Sequence, residues 1–424
     1  MTIQEEIRRQ QEEHAVGARI TPEGIAAMRA RIGVEIPVLQ PWNEYATQDA
    51  IKHFSWGIGD DNPLYTSPEH GARTRWRGQI AFPTFISTMG MSEVKDIPEE
   101  VAEKGRGALA GIHQFYSGDE WVWYRPVHEG DRLTVRVAVV DVQEKHSQFG
   151  GVSVITRRRG LFYNQRGELV ASWTILIVHA ERRTAAQRGK YSEITRTQYT
   201  PEMIKQIEDD YDREEVRGAN ARYWEDVNVG DQLTPIVKGP MLVTDIIAFC
   251  MGWASPFVKA HKMRLAYQRK HPKALMVNEF GVPDVVERVH WDDAWARQIG
   301  NPYAYDYGWQ RNAWLTQIVT NWMGDEAWLW KVDDQFRQFN YVGDTTWVKG
   351  KVTNKLVKDG DHLVDVEMWC DDQRERTTAS GHALVMLPSR VHGPVLLPKP
   401  PRHLDGLKFG EPLPLEVWSA TLKL

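Results

Sequence analysis

The chain is predicted to be an α+β protein built as two copies of one plan, each a helix followed by long antiparallel strands. Three observations predict this. Gly-Asp turns open alternating apolar runs in both halves: Gly130-Asp131 leads into Leu133, Val135, Val137 and Val139, and Gly343-Asp344 precedes a run starting at Trp347. One long apolar helical stretch stands before each set of strands, over 83–94 and 309–323. Finally, 424 residues are too many for one ordinary core. A sheet of alternating strands must bury one face, and the helix before it is long enough to lie across that face.

In chain order, Ala50, Ile51, Phe54 and Ile58 recur at helical spacing, with Thr47 as cap and Asp49 in the first turn, which predicts a helix over 47–56. Gly59 and Asn62-Pro63 stop it in a tight loop. The first-half strands are read at 133–139, 152–163 and 169–178, with the turn Asn164-Gln165-Arg166-Gly167 between the last two. A charged linker follows, helical over 201–212. The second half begins with a helix over 244–252 and a basic insertion carrying Lys259, Lys262, Arg264, Arg269, Lys270 and Lys273. Its strands are read at 347–356, around Val364, Val366 and Met368 after the turn Lys358-Asp359-Gly360-Asp361, and at 379–386. Pro394, Pro398, Pro400 and Pro401 exclude a central strand or helix in the tail, which is expected to wrap the domain or reach a neighbouring subunit. The expected boundaries are 1–185, a linker 186–220, 221–392 and a tail 393–424.

An apolar fraction of 42%, a charged fraction of 26% and a net charge of −5 fit a soluble globular protein and give no sign of a nucleic-acid binder. No run approaches the ~18 apolar residues of a membrane span. The charged stretch 1–19 lacks the apolar core of a secretory signal. Cys250 and Cys370 give neither a disulfide framework nor a zinc spacing, so a reducing cytoplasm is expected.

Gly59-Asp60-x-Asn62-Pro63-Leu64, Pro83-Thr84-Phe85 and Arg125-Pro126-x-x-x-Gly130-Asp131 resemble the MaoC-like acyl dehydratases, or (R)-specific enoyl-CoA hydratases. His290-Trp291-Asp292, with Ala296 and Gly300 and then Tyr305-Asp306-Tyr307-Gly308, resembles the second part of the same motif. The resemblance spans residues 40–390. It implies two tandem hot-dog domains, each an antiparallel sheet wrapped around a central helix. It also implies hydration of a 2-enoyl-CoA thioester or the reverse dehydration, with coenzyme A as part of the substrate and no metal or redox cofactor. In the family motif an aspartate and a histidine share one water. Here the motif is split: the first half keeps Asp60 and Asn62 but has Tyr65 in the histidine position, and the second keeps His290 and Asp292 without the Asp-x-Asn-Pro part.

Hydration needs a base for water, an acid for the α carbon and donors for the thioester oxygen. The expected catalytic set is His290 as base, Asp284 as its carboxylate partner and the Gly308 N–H as oxyanion donor, with Asp60 and Tyr65 as an altered site that shapes or orients. Asn62, Asp292, Tyr305, Asp306 and Tyr307 are candidate pocket or bracing residues, and Lys262, Arg264 and Arg269 are candidates for the coenzyme A phosphates. Eighteen tryptophans first suggest core filling, and second an aromatic wall around a bulky acyl group. A hot-dog thioesterase and a non-catalytic acyl-binding subunit of a heteromeric hydratase are the competing readings. Paired hot-dog units make the chain its own pseudo-dimer, and a further homodimer or higher homo-oligomer is expected.

Overall fold

The computed structural model describes residues 19–38, 40–91, 99, 103, 105–109, 112–147, 151–181, 194–255, 257–270, 275–407 and 412–420. Lys273 and all of 182–193 therefore lie outside the described residues.

Twelve strands are described. The first half supplies β1 (Glu35–Pro37), β2 (His113–Trp123), β3 (Thr134–Ser147), β4 (Gly151–Tyr163) and β5 (Leu169–Ala180). The second supplies β6 (Ile236–Lys238), a small hairpin of β7 (Leu275–Val277) and β8 (Pro283–Val285), then β9 (Trp328–Phe336), β10 (Thr346–Lys358), β11 (Asp361–Asp372) and β12 (Thr377–Met386). Ten of them form one antiparallel sheet in the order β1-β3-β4-β5-β2-β9-β12-β11-β10-β6. Read outward from its middle, each half has the same order, so the sheet is two copies of one topology joined along β2 and β9. At the join, Asp119 faces Asp334 and Trp121 faces Val332.

The predicted strands form where alternation and turn chemistry indicated. Six described strands were not expected: the short β1, β6, β7 and β8, and the long pair β2 and β9 that joins the halves. The second-half helix also forms, over Gly308–Met323, and every residue from Gln310 to Met323 is buried. It lies against the sheet on one side and the first half on the other, so even its polar residues need partners inside. Arg311 pairs with Asp306 at 2.8 Å, Asn312 donates to Asp334 at 2.6 Å, and Gln317 donates to the Gly59 carbonyl at 3.1 Å. Gly324, at φ 76°, ends the helix in the left-handed region.

The first half departs from expectation here. In place of a helix over 83–94 it has a 3-10 turn, Pro83–Ile86, and one helical turn, Ser87–Gly90. Residues 92–98 lie outside the described residues. The inner face of its sheet carries the tryptophans: Trp121 stacks on Trp123 at 5.3 Å and on Trp173 at 4.7 Å, contacts worth about 0.5–1.5 kcal/mol each beyond area burial.

Helix α1 (Gln48–Gly57) and helix α2 (Val243–Phe249), which runs on into a wider turn Cys250–Ala254, are the equivalent helices of the two halves. They cross where Gly57 meets Gly252; a Cβ at Gly252 would run into the His53 carbonyl. The expected linker is not a free spacer: Arg196 binds Asp293, and Tyr199 binds the Gly343 carbonyl and Thr345. The tail returns to the first half, where Leu404, Leu413 and Trp418 cover the outer face of β3, β4 and β5.

Candidate active site

Two clusters correspond to the two motif parts. The second-half cluster is built on a 3-10 turn, Val286–His290, that follows β8. Such a turn brings positions i and i+3 to one side. Glu287 and His290 therefore face together, with Glu287 Oε2 and His290 Nε2 at 3.8 Å. The other ring nitrogen, Nδ1, meets the Tyr305 carbonyl at 2.8 Å. A carbonyl can only accept, so Nδ1 carries the proton and Nε2 keeps its lone pair toward Glu287. The imidazole lies on the Tyr307 ring with centroids 3.7 Å apart, and the Tyr305 ring stands against its edge.

Burial sets the protonation. It lowers His290 to about 4, against the opposing pull of the Tyr305 and Asp306 backbones. It raises Glu287 to about 7, opposed by the nearby Tyr307 hydroxyl. Near neutrality a neutral imidazole thus stands beside a carboxyl that still holds a proton much of the time. A base and an acid are side by side without net charge. The Tyr307 hydroxyl also lies beside Cys250, without a hydrogen bond of ordinary geometry. Burial raises the Cys250 thiol to about 11, so it stays protonated.

Tyr307 caps the long helix, α4 (Gly308–Met323), its N–H donating to Gln310 Oε1 at 2.9 Å. Gly308 opens that helix immediately after the residues that hold the imidazole. First-turn N–H groups have no partner within a helix and favour negative charge. The base, the acid and an anion-stabilising helix end therefore share one place.

The structure corrects the expected carboxylate. Asp284 is not placed against His290. Its oxygens accept from Arg288 at 3.3 Å and from the Val285 N–H. Arg288 also binds Glu279 and Asp292, at 2.8 and 2.7 Å, and lies over the Trp295 ring. This clasp fixes the turn that carries Glu287 and His290. Asp292 caps the helix Asp293–Gln298 through the Trp295 N–H. Asp306 does not line a pocket either: it is buried, paired with Arg311 and Asn340, and braces the chain leading into α4. Tyr305 and Tyr307 do border the imidazole. Lys262, Arg264 and Arg269 lie on helix α3 (His261–Lys270), whose Gln268 donates to the Pro283 carbonyl and so ties it to β8. Lys262 and Arg269 are exposed, and Arg264 is half-buried.

In the first half, Asp60 is 1% exposed. One oxygen accepts from the Asn62 N–H at 3.0 Å, and the other has no hydrogen-bond partner. Burial raises its carboxyl to about 7, against that hydrogen bond. Asn62 braces its own loop by accepting from the Leu64 N–H; it is a cap and not a ligand-facing group. The second half grips this loop: Lys238 donates to the Ile58 and Gly59 carbonyls at 2.9 and 3.1 Å. Tyr65 is buried edge-on to Phe82 and borders a narrow apolar cleft with Trp76, Trp123, Met323 and Trp328.

Sequence reasoning missed Glu287, Arg288 and Cys250. Glu287 had one visible signal, its three-residue spacing from His290. It was outweighed by the motif spacing that pointed to Asp284.

Residues 30–173 match a family model described as the FAS1-like, dehydratase domain region. A UPF0336 protein of Streptomyces avermitilis is 27% identical over 151 residues, 35% of this chain and 93% of that protein. A UPF0336 protein of Streptomyces coelicolor is 28% identical over 158 residues, 37% of this chain and 97% of that protein. Among solved structures, a MaoC-like dehydratase superposes with a TM-score of 0.59 at 14% identity, covering 85% of this chain and 99% of that one. A MaoC domain dehydratase from Chloroflexus aurantiacus gives 0.51 at 12% identity, covering 85% and 96%. Identity this low between structures speaks for fold and not for activity. No helix among the described residues is long and apolar enough to cross a membrane. In fold the chain is similar to these MaoC-like dehydratases.

Proposed function

We propose that the chain hydrates a 2-enoyl thioester of coenzyme A, or dehydrates the corresponding 3-hydroxyacyl thioester, at the second-half cluster. The observation that carries this reading is the Glu287–His290 pair at 3.8 Å beside the N-terminus of α4. His290 Nε2 takes a proton from water as the water oxygen bonds to C3. The C2–C3 π electrons shift toward the thioester carbonyl, whose oxygen is held by the Gly308 N–H. Glu287 delivers its proton to C2, closing the new C–H bond. The proton on His290 then returns to Glu287, which restores both groups. The Tyr307 ring and the Tyr305 carbonyl keep the imidazole in the one tautomer that can begin the cycle. Lys262, Arg264 and Arg269 supply cations for the coenzyme A phosphates.

The test uses the purified chain with crotonyl-CoA and bulkier enoyl-CoAs, following both the conjugated absorbance and free thiol. Loss of absorbance without thiol is the expected result. Thiol release would replace this reading with a thioesterase, and binding without either signal would replace it with an acyl-binding subunit.

A further inference from the structure

The N-terminus of α4 is seated on a residue from the other half of the chain. A Cβ at Gly308 would run into the Tyr116 ring, which lies on β2 of the first half. The same ring lies tilted against Trp309 at 4.4 Å and against Phe336 at 5.4 Å. Its hydroxyl donates to Asp119 Oδ2. Asp119 accepts from the Trp173 indole at 2.5 Å, and its own N–H donates to Asp334 Oδ1 at 2.9 Å. Asp334 in turn accepts from Asn312, one turn into α4. The chain of contacts leaves the helix at its first turn, crosses the junction strands and returns to the helix.

The backbone is shaped for this. A β-bulge falls between Tyr116 and Gly118 where β2 pairs with β5. Gly118 has φ 152°, and a Cβ there would strike the Asp334 carbonyl. Bulges re-aim side chains, and this one lies beside the ring that meets Gly308. Burial pushes both carboxyls up, Asp334 to about 7, so the facing acids need not repel as two anions.

We propose that Tyr116 is a positioning residue for the second-half site, supplied by the first half: its ring sets where the Gly308 N–H stands relative to His290. This rests on the hydratase reading above. The second-half site is then incomplete without the first half, which gives the junction strands a catalytic consequence.

Steady-state kinetics on enoyl-CoA test it. Tyr116→Ala should lower kcat about 10- to 100-fold with KM within about 3-fold, because a small displacement of the oxyanion donor acts on the transition state. Tyr116→Phe keeps the ring and should stay within about 3-fold of the unmodified protein. If Tyr116→Ala does not fold, Tyr116→Leu, which fills space without a flat ring, should show the same fall in kcat. Gly308→Ala should lower the melting temperature in the unmodified background and much less beside Tyr116→Ala, since the colliding ring is gone. Unchanged kcat in Tyr116→Ala or Tyr116→Leu, with an active unmodified chain, overturns this proposal alone. No turnover by the unmodified chain overturns the hydratase reading and this proposal with it.

Discussion

The two motif parts, one in each half of the chain, end in different chemistry. The first keeps the acid and the amide, Asp60 and Asn62, but has a phenol, Tyr65, where an imidazole would complete the pair. Its acid is buried beside its own backbone, and the loop is gripped by Lys238 and Gln317 from the other half. The second has an imidazole and a glutamate on one 3-10 turn, beside the N-terminus of a long helix. The first loop is gripped by the other half through its backbone carbonyls; the second leaves a base and an acid facing each other. Duplication of a fold thus does not duplicate a site. Reactive geometry survives where the acid and base face each other, and is lost where a phenol, Tyr65, stands in place of the base.

The largest expected effect is at the base. His290→Ala should cut turnover by about 10²- to 10⁴-fold with the fold intact by circular dichroism, whereas Tyr65→Phe should change it by less than about 3-fold. Equal losses in both variants would break the comparison. Glu287→Gln should cost about 10²-fold, and Asp284→Asn much less, because Asp284 meets Arg288 and not the imidazole. A pH profile sharpens this. Activity requires His290 neutral and Glu287 protonated, so kcat should fall below about 4 and above about 7. A profile still rising at pH 9 would exclude Glu287 as the acid.

The first loop should answer in stability instead. The folded carboxyl of Asp60 is raised from 3.8 to about 7. Its proton-linked stability is fully present below the unfolded value and is lost as pH rises through about 7. Asp60→Asn should therefore gain on the unmodified protein by about 2 kcal/mol between pH 5 and pH 8, read from denaturant melts. No relative gain would show that Asp60 is ionised in the fold. The smallest effect is expected on α3: neutralising Arg264 and Arg269 together should raise KM for the coenzyme A thioester several-fold with kcat unchanged.

Much of the fold was legible because its signals are local. The runs around Val135, Val366 and Val385 alternate, and Asn164-Gly167 and Asp359-Gly360 mark their turns. Strands β2 and β9 were not legible. β2 is broken by the bulge at Gly118, and β9 meets the other half along the edge that runs from Lys331 to Gln335, a pairing no local pattern declares. The first-half helix was overread from its apolar run, which the structure spends on a 3-10 turn and one helical turn.

By itself the sequence determined the two-fold plan, the central helix starting at Gly308 and the histidine that borders it. These follow from periodicity, from turn chemistry and from the motif around His290. Tertiary structure alone decided which acid meets that histidine. Arg288 draws Asp284 and Asp292 away to itself, and the 3-10 turn brings Glu287 in. Tertiary structure also decided that Tyr116 stands under Gly308, because a contact between residues so far apart in the chain is written in the pairing of β2 with β9 and in no local pattern.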